Sequence, residues 1–220
     1  MKKFVFIIVL GAFVLSSCAP SLTREQLYPK VYEEHPLTIL VMPPINNTNH
    51  AEAKEYFYSS LSQPLCEKGY YVISPYLAMD IFKQESAYDS EMFINGSLAP
   101  FRNVFGADAV LFTTINRWEK QSGLSYIKVG IEYTLKSAKT NEVLFNRKGD
   151  LTVSYSSGSN SLLGLALDMV RTAATDKIVP ARRCNAYVLY DLPDGQYGLN
   201  YNKDQKFKAG KQEMKATIKN

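Results

Sequence analysis

The chain has 220 residues, 46% of them hydrophobic and 21% charged, enough for one domain with a real core or at most two small ones. The net charge of +4 belongs to the two ends, because Lys2 and Lys3 open the chain and six lysines face only Asp204 and Glu213 in Tyr201–Asn220. The stretch between is slightly acidic, which argues against a nucleic-acid surface, since that would need basic residues clustered on the folded face.

Lys2-Lys3 followed by an apolar run from Phe4 to Leu15 has the layout of a secretory signal. The run is too short to cross a bilayer as a helix, which takes about 20 apolar residues. Leu15-Ser16-Ser17-Cys18 looks like a bacterial lipobox, in which the Cys18 thiol takes a diacylglyceryl group and becomes the first residue of the mature protein. The competing reading is an ordinary signal with a chance cysteine. Several acyl chains on Cys18 would hold a folded domain on a membrane, since stable anchoring takes more than one chain. Resemblance to bacterial lipoproteins, in which Asp after the cysteine often marks retention in the inner membrane, implies from Ala19 export to the outer membrane, with the domain expected in the periplasm and the surface-exposed face left as the other reading.

Residues 18–37 read as a lipidated tether. Pro20, Pro29 and Pro36 argue against one continuous helix, and a flexible segment of this length reaches roughly 25 Å. Tyr28 and Tyr32 could dock part of it onto the domain. The domain itself is expected over 38–180. Thr38–Met42 has the continuous apolar character of a buried strand, stopped by Pro43-Pro44. A helix is expected from about Ala51 to Lys68, kinked or split by Pro64 and ended by Gly69. A second strand over 70–73, a helix over 76–84, a shorter helix over 98–105 and a third strand over 109–115 follow. This βαβαβ start favours parallel pairing.

The pattern then changes. Ile127, Val129, Ile131, Tyr133 and Leu135 alternate with Lys128, Gly130, Glu132 and Thr134, the mark of a strand with one buried face. Lys139-Thr140-Asn141 makes a tight turn into a second long strand, Val143–Ser154, so an antiparallel meander is expected. An amphipathic helix is expected over 162–177. Residues 181–220 read as an extension with a lysine-rich disordered tail. The fold class is therefore α/β: a single domain with a mixed sheet of about five strands and helices mainly on one face.

Tyr28-Pro29-Lys30, Leu40–Thr48, Gln63-Pro64-Leu65, Lys68–Val72 and Phe105–Leu111 together resemble a family of bacterial outer-membrane lipoproteins of unknown function that includes a neisserial vaccine-candidate antigen. The resemblance runs from about Tyr28 to Lys177. It implies a fold similar to the N-terminal domain of TolB and to the periplasmic part of CsgG-type secretion lipoproteins. It supplies no catalytic residues.

The residue inventory points away from catalysis. His35 lies before Pro36 and His50 at a helix start, and two histidines so placed make no zinc site. No phosphate loop, dinucleotide fingerprint or nucleophile elbow is present, so no cofactor and no metal is expected. Cys66 and Cys184 form an even pair in an oxidising compartment. A disulfide between them is one reading, and two free thiols acting as small hydrophobes is the other. Pro43, Pro44, Asn46, Asn47 and Thr48 follow the carboxyl end of the first strand, where open α/β sheets place ligands; the plainer reading is a rigid turn and cap. Arg117 and Trp118 open the link between the third and fourth strands. A Trp beside an Arg has the composition of an interface anchor, against a Trp folded back on its own sheet. The leading function is a non-enzymatic binding or assembly module in an outer-membrane secretion or transport machine. Its partners would be the membrane, through Cys18, and an envelope protein or a second copy. The alternative is a lipoprotein that holds a small molecule or glycan fragment at the Pro43–Thr48 loop.

Overall fold

The structure is a computed structural model, and it describes residues 21–120, 126–154 and 178–219. The signal, Cys18 and the helix expected over 162–177 lie outside the described residues.

The segment expected to be a tether is folded from Leu22 onward. Thr23 caps α1 (Arg24–Leu27) through a capping box, its side chain accepting from the Gln26 amide while the Gln26 side chain accepts from the Thr23 amide. Pro29 opens α2 (Pro29–Glu34) instead of breaking it: at the first helical position the missing N–H is no loss. Then come β1 (Thr38–Val41), β2 (Ile45–Asn46), α3 (Glu52–Ser60) and α4 (Ser62–Glu67). The long helix expected here is split at Leu61. Pro64 falls in the first turn of α4, where its lack of a donor is tolerated. Next are β3 (Tyr71–Val72), α5 (Pro75–Gln84), a 3-10 turn at Ser90–Met92 and α6 (Ala99–Phe105), closed by Gly106 in the left-handed conformation.

Three twelve-residue strands form the body of the sheet: β4 (Ala109–Lys120), β5 (Tyr126–Ser137) and β6 (Val143–Ser154). After them come α7 (Ile178–Leu189) and β7 (Glu213–Lys219). The sheet has seven strands in the order β3-β1-β4-β5-β6-β7, with β2 also on β4. β3, β1, β2 and β4 pair in parallel, β4–β5–β6 is an antiparallel meander, and β7 lies parallel to β6. The mixed α/β architecture is as expected, with two more strands than foreseen. The C-terminal expectation is corrected. Met214, Ala216 and Ile218 pack on the core, while lysines take alternate positions, so this stretch is a lysine-guarded edge strand and not a disordered tail.

The first sheet face is packed under helices across β1, β4, β5 and β6. Ile39, Val41, Leu111, Ile115, Val129, Ile131, Tyr133, Leu135, Leu151 and Val153 meet Tyr28, Val31, Phe57, Leu61, Leu65, Cys184, Val188 and Leu189 from the helices. Among the described residues, the second face is covered at its parallel end, where Leu40, Met42, Val110 and Phe112 meet Ala78, Phe82, Leu98 and Phe101. Helices thus lie mainly, not solely, on one face. Over β5 and β6 that second face carries Lys128, Glu132, Thr134, Asn146, Asp150 and Thr152, all partly exposed.

Candidate functional site

Among the described residues, a dense polar cluster lies where residues 22–32 meet residues 190–211. Phe207 and Gln205 offer their carbonyls to the amides of Arg24 and Glu25, and the Leu22 carbonyl accepts from the amide of Ala209 at 2.9 Å. Thr23 and Lys208 form an antiparallel bridge. Side chains then lock the join. Arg24 Nη1 donates to Asp204 Oδ2 at 2.9 Å, and Nη2 donates to the Tyr190 carbonyl at 3.1 Å. The Tyr28 hydroxyl donates to Asp191 Oδ2 at 2.9 Å, and the Tyr32 hydroxyl to Asp204 Oδ1 at 3.1 Å. Asp204 also accepts from the Asp194 amide at 3.0 Å, and Asp191 from the Gly210 amide at 2.9 Å. Burial pushes the Tyr28 hydroxyl well above its ordinary range, and the carboxylate of Asp191 beside it adds to the effect.

Lys68 and Asp194 form the second pair, at 2.9 Å, with Asn200 donating to Asp194 from both its amide and its side chain. Burial works against the Asp194 charge, but the Lys68 hydrogen bond, its positive charge and the Asn200 donors together hold the carboxyl below its usual range. Burial lowers the Lys68 ammonium from its usual range, against the pull of Asp194. Arg147, 5% exposed, donates to the Val188 carbonyl at 2.8 Å and the Lys211 carbonyl at 3.1 Å. Gly210 lies close under Arg147: a Cβ there would lie 2.2 Å from Arg147 Nη2, so a larger residue would have to displace the guanidinium. These contacts turn residues 190–211, which have little regular structure, into a strap over α1 and α2.

Beside the strap runs a groove of about 360 Å³ lined by Arg24, Lys68, Tyr190, Leu199 and Phe207 among others. The Arg24 guanidinium lies 5.8 Å from the Tyr190 ring and 5.7 Å from that of Phe207. A second, shallow depression of about 400 Å³ opens on the uncovered sheet face between Arg117, Lys128, Asp150, Thr152, Lys215 and Thr217. Arg117 is ion-paired to Asp150 there.

The residues singled out in the sequence are dispersed. Trp118 is 4% exposed and belongs to the core, its ring edge-to-face with Phe57 at 5.5 Å and tilted over Tyr56 at 6.3 Å. The expected interface anchor is corrected: β4 runs on to Lys120, so Trp118 is a strand residue facing α3, not a loop tip. The disulfide expectation is corrected too. Cys66 is exposed on α4 and Cys184 is buried on α7, both as free thiols, so the two point to different environments. Burial raises the Cys184 thiol far above its usual range, which makes it inert. The strap's ion pairs hold the C-terminal segment without a bridge. The Pro43–Thr48 loop spends its polar groups locally. Asn46 accepts from the amide and hydroxyl of Thr48 and donates to the His50 carbonyl, Asn47 donates to Asn116, and the Pro43 carbonyl accepts from Ser90. That is turn and cap chemistry. Among the described residues, no group of three His, Cys, Asp or Glu is placed to hold a metal ion.

The class these observations define is a small mixed α/β domain whose first described residues are tied to its last segment by buried ion pairs and backbone pairing. Residues 27–192 match the family model described as "Putative lipoprotein GNA1162-like", and the chain belongs to that family. It is 23% identical over 185 residues to "Putative lipoprotein NMB1124/NMB1162" of Neisseria meningitidis serogroup B, covering 81% of this chain and 86% of the relative. The crystal structure of lipoprotein GNA1162 from Neisseria meningitidis superposes with a TM-score of 0.50 at 24% identity, covering 63% of this chain and 97% of that one. The likeness shows the shared fold. A PelC dodecamer from Paraburkholderia phytofirmans matches with a TM-score of 0.42 at 16% identity, over 82% of this chain and 96% of that one. No enzymatic family is indicated. Among the described residues, no helix is long and apolar enough to cross a membrane.

Proposed function

We propose that this protein is a non-enzymatic lipoprotein, held on the outer membrane through acylated Cys18 with its domain in the periplasm, that works as a binding or assembly module in a secretion or transport machine. One observation carries the reading. The first sheet face is packed under helices, while over β4–β7 the second face presents Arg117, Lys128, Asp150, Thr152 and Lys215 to solvent around an open depression. The conspicuous buried charges, by contrast, are matched to each other in the strap and serve its architecture. A partner protein is therefore expected on the polar sheet face and not at Trp118.

Two measurements test it. Labelled palmitate should enter the wild type and not Cys18→Ala; equal labelling of both would remove the anchor. A photo-crosslinking amino acid at Thr152, in intact cells, should give one discrete adduct whose partner is an envelope protein. The same probe at Tyr76, exposed on α5, should give none. Indistinguishable products from the two positions would remove the partner surface.

A further inference from the structure

The strap places a particular surface next to the anchor. Among the described residues backbone pairing begins at Leu22, four positions after Cys18. Four steps along the chain span at most about 14 Å, roughly twice the thickness of a headgroup layer of about 5–7 Å. The reach of roughly 25 Å expected for a free tether of 19 residues is not available, because α1 and α2 are bound down by Asp191 and Asp204. With Cys18 acylated, the side of the domain around Leu22 would lie within about 14 Å of the bilayer surface.

That side has the chemistry of a membrane-contacting surface. Leu22 is 50% exposed, Phe207 47%, Tyr190 71% and Leu199 92%. The Leu22 carbonyl accepts from the amide of Ala209, two residues past Phe207, and Phe207, Tyr190 and Leu199 line one groove. Large apolar side chains crowded together in water mark a surface meant for something else. Tyrosine with its polar tip and apolar ring suits the membrane–water boundary. Lys203, Lys206 and Lys208 stand exposed on the same strap, where they complement lipid phosphates. Tyr76 and Leu77, also exposed, sit on α5 over the opposite sheet face.

We propose that Leu22, Tyr190, Leu199 and Phe207 form a membrane-docking face that rests in the headgroup layer of the bilayer carrying the anchor, with Lys203, Lys206 and Lys208 over lipid phosphates. The proposal rests on acylation of Cys18 for its geometry, while the surface chemistry stands apart from it. Docking in this way turns a loosely leashed domain into an oriented one and fixes which face looks away from the membrane.

The test uses the full chain in its processed form with Cys66→Ser, so that a single introduced cysteine carries an environment-sensitive fluorophore. Leu199→Cys is the reporter and Leu77→Cys the control. On vesicles of phosphatidylethanolamine and phosphatidylglycerol, the label at 199 should shift to the blue, be quenched by brominated lipid and be severalfold less accessible to aqueous acrylamide than the label at 77. Adding Phe207→Glu should reverse the shift at 199. The mass of the N-terminal peptide reports acylation separately. A water-exposed label at 199 on acylated, vesicle-bound protein overturns the docking face and leaves the anchor standing. An unacylated N-terminus overturns the anchor, and the docking face then stands or falls on whether the label at 199 still responds to added vesicles.

Discussion

Arg24 donates to Asp204 at 2.9 Å across 180 positions of sequence, with the Arg24 side chain 6% exposed and that of Asp204 wholly buried. This pair joins α1 to the strap and makes the two one structural unit. Removing one partner leaves the other as a buried charge, which costs about 3–5 kcal/mol. Arg24→Ala and Asp204→Ala should therefore each lower the melting temperature on the order of 10 °C, at about 2–4 °C per kcal/mol for a chain of this size. The double variant should lose much less than the sum of the two. Thermal unfolding of the three proteins checks this, and additive losses would show that α1 and the strap do not depend on each other through this pair.

Trp118→Ala should act on the fold and not on a partner. The indole is packed against Phe57 and Tyr56 inside the main core, so truncation removes contacts and leaves a cavity, at about 3–5 kcal/mol. As the chain holds one Trp, its emission in the native protein should be blue-shifted and should move to the red on unfolding. A variant with unchanged melting temperature would return Trp118 to the surface.

Much of the sheet was legible because its signals are periodic. The alternation from Ile127 to Leu135 and the turn at Lys139–Asn141 gave the meander, and the apolar run at Thr38–Val41 gave the first parallel strand. The last third was misread for a physical reason. Ala181, Cys184, Asn185, Val188 and Leu189 have helical spacing, but a buried Asn and a Pro at the start dilute the stripe. Asn185 is satisfied only by tertiary partners, Tyr133, Ser60 and the Phe57 carbonyl. The period of two at Met214, Ala216 and Ile218 was masked by lysines that guard a sheet edge. Asp191, Asp194 and Asp204 look like ordinary turn residues, and no local pattern tells a carboxylate on a surface turn from one that Arg24 or Lys68 will meet from far away in the chain. Trp118 was misassigned because the strand was ended too soon, at Ile115.

The thiols give a direct count. Cys66 is exposed and Cys184 is buried with its thiol pushed far up in pKa, so a thiol reagent should titrate one group in the native processed protein and two after unfolding without reductant. Cys66→Ser should abolish the native reaction. Cys184→Ser should leave it intact and lower stability, because an apolar site loses its match. No reactive thiol after unfolding would mean that Cys66 and Cys184 are bonded in the exported protein. Three would mean that Cys18 carries no acyl group.

Alkaline pH should unfold the protein cooperatively. Burial raises the hydroxyls of Tyr28, Tyr32, Tyr58, Tyr70 and Tyr133 above their ordinary range, and each donates to an acceptor inside the fold: Asp191, Asp204, the Pro75 and Pro193 carbonyls, and Asn185. In the unfolded chain they lose their protons near pH 10. Their contribution is thus fully present below about pH 10 and is lost as the pH rises from there toward the raised native values, because the unfolded state then binds fewer protons than the native one. Lys68 works the other way: its folded value lies below the unfolded one, so it adds stability as the pH rises between the two. It is one group against five, two of them wholly buried, and the net slope should be negative. Denaturant midpoints measured from neutral pH upward should stay level and then fall above about pH 10. Tyrosinate absorbance should show these groups ionising together with the loss of helical circular dichroism. All fifteen tyrosines titrating smoothly near the free value while the helices persist would show that the five hydroxyls are not held inside the fold.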